Sequence, residues 1–183
     1  MHYVFDIFLT EADYIDFNVF HATRAPYGKR LQRGLQGMLV VMFSIAAIFR
    51  FWTEGMTLET VIYALLLVGF GLLISALIGK IFALSMKFTI RSLKKTGKMA
   101  FSPESRVGFT DEGILEITPE GRTEKRWESV ERLCIREGKV WYLYTNNTAA
   151  FILPVEQISA QTDVAEFRKY LESKCPVVDR FEK

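Results

Sequence analysis

An α+β fold is predicted: a two-helix transmembrane hairpin, then a cytoplasmic antiparallel β-sheet domain that closes with a C-terminal helix. Three observations predict it. Two long uncharged runs lie between residues 34 and 79, short strand signals broken by turn residues fill 106–153, and a capped amphipathic pattern starts at Asp163. The 183 residues are 50% hydrophobic and 24% charged, with a mean hydropathy of +0.14. That apolar excess is confined to the two uncharged runs, so it describes a segment rather than the whole chain.

Residues 3–9, YVFDIFL, set Tyr3, Phe5, Ile7 and Leu9 on one side and read as a strand with a strongly apolar face. Such a strand needs a partner for its backbone, and the C-terminal sheet is the expected one. Thr10 and Asp13 open a helix with Tyr14, Phe17, Phe20 and His21 on one side, and Pro26 and Gly28 are expected to end it. Core packing of that aromatic side is preferred over an interfacial position.

The first uncharged run holds sixteen residues between Arg33 and Arg50. With Arg50 and Trp52 as interfacial anchors, Gly34–Trp52 reaches about 29 Å at roughly 1.5 Å per residue, close to a hydrocarbon core. The second run, Thr60–Gly79, has twenty uncharged residues, and the short connection Thr53–Leu58 makes the pair a hairpin. The spans are set at about 34–52 and 58–82 within a hairpin of 34–84. A first segment of 1–33 already contains Asp6, Glu11, Asp13 and Asp16, the wrong prelude for a signal peptide. Ten lysines and arginines flank the hairpin on its open side against Arg50 alone in the loop, which predicts cytoplasmic termini. Gly71, Ser75 and Gly79 repeat every four residues and offer a groove for helix packing, within the hairpin or between copies.

Residues 85–100 continue as a basic juxtamembrane helix. Phe82, Met86, Ile90 and Leu93 form its apolar stripe, and Lys87, Arg91, Lys94, Lys95 and Lys98 are the candidate contacts for anionic lipid headgroups. The β-rich domain, 101–183, changes character: residues 102–183 carry fifteen acidic and twelve basic side chains, a net charge of −3. Strands are expected at Arg106–Thr110, Ile114–Thr118, Thr123–Trp127, Val130–Arg136, Val140–Thr145 and Ala149–Leu153. Ala149–Leu153, apolar throughout, reads as a central strand. Asp163 caps a last helix that turns Val164, Phe167, Tyr170 and Leu171 inward. A meander closed by one helix is similar to the pleckstrin-homology-like superfold, a likeness of architecture that carries no function.

Several fragments bear a wider likeness. They are Leu9-Thr10-Glu11-Ala12-Asp13-Tyr14 with Phe17, Phe109-Thr110-Asp111-Glu112-Gly113-Ile114, Trp127-Glu128-Ser129-Val130, Tyr142-Leu143-Tyr144, Phe151-Ile152-Leu153-Pro154 and Glu166-Phe167-Arg168. In their order the chain resembles the YcxB-like membrane protein family of bacteria. Val155-Glu156 stands where a basic residue often follows the proline, which argues against an anion site at that corner. The resemblance implies two spans and a cytoplasmic β-rich domain, and no reaction.

Chemistry-bearing motifs are missing. His2 and His21 are the only histidines, and neither has a carboxylate or cysteine at metal spacing; no phosphate loop or nucleophile elbow occurs. Cys134 alternates with Leu133 and Ile135 and reads as packing, as do Trp127, Trp141 and Tyr144. The acidic residues of the strands are expected on solvated faces. A net charge of +2 does not suggest a nucleic-acid partner. The expected function is a non-enzymatic inner-membrane protein without cofactor or metal, whose cytoplasmic domain binds a protein or membrane partner. The alternatives are an accessory subunit of a membrane enzyme or transporter, and an anionic-lipid-binding module. Between Gly34 and Phe49 and between Thr60 and Gly79 the spans carry no charge of the kind that marks a transport pathway.

Overall fold

The computed structural model describes residues 2–95 and 101–181. It divides into two compact units, one of residues 1–17 with 93–183 and the other of residues 18–92.

In the β-unit, β1 (Tyr3–Phe8), β2 (Glu104–Phe109), β3 (Gly113–Thr118) and β4 (Gly121–Arg126) form an antiparallel sheet in that order. The N-terminal strand does join the sheet built by the C-terminal half, with Tyr3 opposite Phe109 and Phe8 opposite Glu104. Its outer edge is closed by side-chain amides. Gln157 accepts from the Phe8 amide N–H at 2.8 Å and donates to the Phe8 carbonyl at 2.7 Å; Gln161 does the same for Asp6 at 3.2 and 3.1 Å. Both glutamines come from the turn around α4 (Val155–Ser159), a helix the periodicity did not announce. An edge sealed this way is no longer a template for another chain.

The second sheet has the order β7-β6-β5-β8, from β5 (Arg132–Arg136), β6 (Val140–Tyr144), β7 (Ala150–Pro154) and β8 (Val178–Phe181). β8, absent from the sequence expectation, pairs parallel to β5. The central position expected for 149–153 is corrected: β7 is an edge, and β6 is the inner strand buried along its whole length. One face of β6 gives Trp141 and Leu143 to the core. The other gives Tyr142 and Tyr144, which Phe17 of α1 (Glu11–Thr23) covers at ring distances of 5.3 and 6.1 Å. The strand expected over Thr123–Trp127, β4, stops one residue short of Trp127, which turns into a 3-10 segment and donates its indole N–H to the Thr110 carbonyl at 2.8 Å. α5 (Val164–Lys174) is capped as expected, the Asp163 carboxylate accepting from Ala165 and Glu166 N–H. Its Phe167 lies at the centre of the core, with rings of Phe5, Tyr3 and Phe109 at 4.7, 4.8 and 5.0 Å.

α1 starts with reciprocal Thr10–Asp13 hydrogen bonds, as its sequence suggests. Pro26 and Gly28 do not form a loop after it. Pro26 occupies the first turn of α2 (Pro26–Glu54), where its missing N–H costs nothing. Gly28 brings α2 against the end of α1, since an added Cβ would stand 2.1 Å from the His21 carbonyl oxygen.

In the helix unit, α2 turns through 55–57 into α3 (Leu58–Lys95), whose start is fixed by reciprocal Thr57–Thr60 hydrogen bonds. The two helices pack along matched positions. Arg50 lies over the Tyr63 ring at 4.9 Å, Phe43 packs against Gly71, and Gln36 donates to the Ser75 carbonyl at 3.0 Å.

Candidate site: a mixed-polarity cleft in the β-unit

The register of the first sheet fixes which side chains share its inner face. Phe5, Val107 and Phe109 lie in the core, and Val107 stands opposite Glu116 while Phe109 stands opposite Ile114. Side chains alternate across a strand, so Ser105, Glu116 and Thr118 continue that same inner face, joined by Thr123 and Lys125 of β4. Toward the β3–β4 end the inner face thus turns from apolar to polar. The space there is a cleft of about 600 Å³, with Tyr14, Phe101, Phe151 and Ile152 supplying its apolar lining. The Tyr14 and Phe101 rings stack at 4.7 Å.

The expectation that acidic strand residues face solvent fails at Glu116, which stands on the inner face. Burial pushes its carboxyl above the usual glutamate range, opposed by a hydrogen bond with Ser105. The other perturbed carboxyls of the described residues are held down by donors. Arg106 does this for Asp6, His2 and Lys174 for Asp111, Ser102 for Glu120, and Arg168 for Glu172. For Asp16, burial pushes upward, but Lys139 at 3.0 Å and Arg136 outweigh it. Among the described residues no Lys or Arg pairs with Glu116. Sequence alternation hides it: in Gly113-Ile114-Leu115-Glu116-Ile117-Thr118 the apolar Leu115 and Ile117 look like the inward pair, yet Ile117 is 44% exposed. Only the pairing of Phe109 with Ile114 reveals the true phase.

Burial pushes both cysteine thiols up to about 12, helped at Cys134 by the Asp179 carboxylate 4.0 Å away, so they stand as protonated packing groups. Trp127, Trp141 and Tyr144 are buried as well, and so do not line the cleft. Among the described residues no group of three or more His, Cys, Asp or Glu is placed to hold a metal ion.

Of the headgroup candidates, Lys87 and Arg91 are exposed one turn apart on α3. Lys94 and Lys95 fall in the last turn of α3 and Lys98 follows it; the side chains of all three lie outside the described residues. Gly71 and Gly79 face α2, and the Ser75 carbonyl between them accepts from Gln36 of that helix. A Cβ on Gly71 would meet the Phe43 ring at 2.5 Å, whereas one on Gly79 would come no closer than 3.7 Å to Gln32. α2 and α3 are both long and apolar enough to cross a membrane, with mean hydropathies of 1.7 and 2.7 over their most apolar stretches.

Comparison with curated proteins and with solved structures gives no match. Comparison with protein-family models matches residues 109–171, from the end of β2 into α5, to YcxB-like protein. That stretch contains Glu116, two of the four strands of the first sheet and three of the four of the second, and the chain accordingly carries a YcxB-like domain there.

Proposed function

We propose that this chain is a non-enzymatic bacterial inner-membrane protein, with both termini in the cytoplasm, whose β-unit binds a protein or membrane partner. The observation that carries the reading is the cleft of about 600 Å³, open beside β4, in a unit whose other perturbed carboxyls are taken up by donors within the fold. A mixed-polarity concavity with a few convergent polar groups is the usual form of a recognition site. The helix pair supports anchoring, because its apolar side chains point outward, and the ten-to-one basic bias supports the orientation. The pleckstrin-homology-like assignment belongs to the same proposal. It is supported by two sheets closed by a C-terminal helix, with the parallel β8 as an addition.

A second reading, contact with anionic headgroups, is favoured by exposed Lys87 and Arg91 beside exposed Leu84 and Phe88 on α3. Purification in mild detergent, followed by mass spectrometry of bound proteins and lipids, tests both. The expected result is a species depleted in a Thr123→Trp variant, which fills the cleft. An unchanged profile removes the cleft as the binding site, and depletion of anionic lipid on Lys87→Gln, Arg91→Gln points to the helix instead. For topology, Met56→Cys should react with an impermeant maleimide on intact cells and Thr148→Cys should not; the reverse pattern overturns the orientation.

A further inference from the structure

We propose that the cleft takes a primary ammonium group carried on an apolar arm, with Glu116 as counter-charge and the Tyr14–Phe101 ring pair against the arm. The proposal rests on the reading of the cleft as a recognition site and names the chemistry of its ligand.

Charge decides first. Glu116 is half-buried at the inner wall, and among the described residues no Lys or Arg forms an ion pair with it, Lys125 standing diagonally across the β3–β4 pair. Its hydrogen bond with Ser105 leaves the charge itself uncompensated, and a half-buried carboxylate without a counter-charge is a cost that an incoming cation removes. Glu120 also lines the cleft, so among the described residues the wall carries two carboxyls against the one ammonium of Lys125, exposed on the edge strand β4. That balance opposes an anionic ligand. A divalent metal fits poorly, since among the described residues no group of three or more His, Cys, Asp or Glu is placed to hold one.

Hydrogen-bond capacity decides next. An ammonium brings three donors and no acceptor. Ser105, Thr118 and Thr123 place hydroxyl oxygens on the same inner face as the Glu116 carboxylate, so the face offers acceptors for all three. The opposite lining is apolar and aromatic, with Phe151 and Ile152 buried and the stacked Tyr14 and Phe101 beside them. Aromatic faces attract ammonium ions as well as their hydrocarbon stems. The volume suits a small organic molecule or one side chain of a partner.

Such an ammonium comes from a free amine or from a lysine of a partner protein. The test titrates the full-length protein in detergent with 2-phenylethylamine and with Nα-acetyl-lysine N-methylamide, each followed by ligand-observed NMR. Matched controls are 2-phenylethanol and 3-phenylpropionate. The expected result is that at least one amine binds about tenfold or more tightly than the alcohol, and that the carboxylate does not bind. Which amine binds better identifies the source. Glu116→Gln should cut amine binding by about tenfold or more and leave the alcohol unchanged. Thr123→Trp, on an exposed strand that tolerates bulk, should abolish all binding.

Equal binding of amine and alcohol, preference for the carboxylate, or amine binding that survives either substitution would overturn the assignment. If no amine binds while Thr123→Trp still strips a co-purifying partner, the recognition site stands and the ammonium chemistry falls.

Discussion

The helix unit and the β-unit use apolar residues in opposite directions. In the helix unit Ile48, Leu65, Leu66, Leu84 and Phe88 are 66–76% exposed, whereas in the β-unit Phe5, Phe109, Leu133, Leu143 and Phe167 are 0–1% exposed. The β-unit is therefore held by the ordinary hydrophobic drive, which removes those rings from water. The helix unit turns its apolar surface outward, where only an apolar environment avoids the cost. Its internal cohesion has to come from close contacts such as Phe43 on Gly71 and Gln36 on Ser75. The same residue types thus make stability intrinsic in one unit and dependent on surroundings in the other.

The largest test of this contrast is truncation of one large side chain in each unit. Phe5→Ala removes a ring that touches Phe167 and Phe109, and should cost about 3–5 kcal/mol of β-unit stability. Phe49→Ala on α2, 60% exposed, should change unfolding in detergent by less than about 0.5 kcal/mol. Hydrogen exchange over β2 and β3 reads the first change and exchange over α3 the second. Comparable losses would erase the distinction between the units.

Next in size is the contact inside the helix pair. Gly71→Leu drives a side chain into the Phe43 ring and should cost about 1–3 kcal/mol, as overpacking does. Gly69→Leu, with open space where its Cβ would stand, should be mild. Unfolding in detergent at graded denaturant separates them, and equal effects would mean that the Gly71 approach contributes nothing to cohesion.

A third test concerns how α1 is held on the second sheet. Asp16 meets Arg136, Lys139 and the Tyr142 hydroxyl, and the two cations hold its carboxyl low in spite of burial. A depressed folded-state pKa means that the native state binds this proton less readily than the unfolded chain. Its stabilisation is full above about pH 4, the ordinary aspartate value, and disappears as pH falls through the lowered folded value. Asp16→Asn should cost on the order of 1–2 kcal/mol at pH 7, between an exposed and a buried pair, and should flatten the acid limb of the stability curve. An unaltered acid limb would show that the pair does not fasten the helix.

How much of this was legible in the sequence follows from which interactions are local. The hairpin, the caps at Thr10 and Asp163, and the strands around turn residues are written in neighbouring residues, and they appear where expected. The partner of β1 was inferred from an unmet backbone, and the pairing of Tyr3 with Phe109 answers it. What sequence did not reveal depends on distant register. β8 lies beside β5 through a parallel pairing, β6 rather than β7 is an inner strand because it pairs with both β5 and β7, and α1 returns to cover its second face. Glu116 belongs to the same class: its own strand suggests the wrong face, and the partner strand supplies the phase.

The smallest expected effect sharpens the comparison within the β-unit, between Asp16 and Glu116. Asp16 is paired and held low; Glu116 is desolvated and raised, so the two carboxyls should have opposite linkage. A raised folded-state pKa means that the native state binds the Glu116 proton more readily than the unfolded chain does. Stability from this site is then full below about pH 4.3, the ordinary glutamate value, and is lost as pH rises through the raised folded value. Glu116→Gln removes that loss while keeping the Ser105 hydrogen bond available, so the variant should be slightly more stable than the parent at pH 7, by less than about 1 kcal/mol. Denaturant midpoints from pH 4 to pH 8 would show the gain growing with pH, the reverse of the Asp16→Asn profile. A variant destabilised at neutral pH would mean that the Glu116 carboxylate is already stabilised within the fold, and the cleft would then carry no unmet charge.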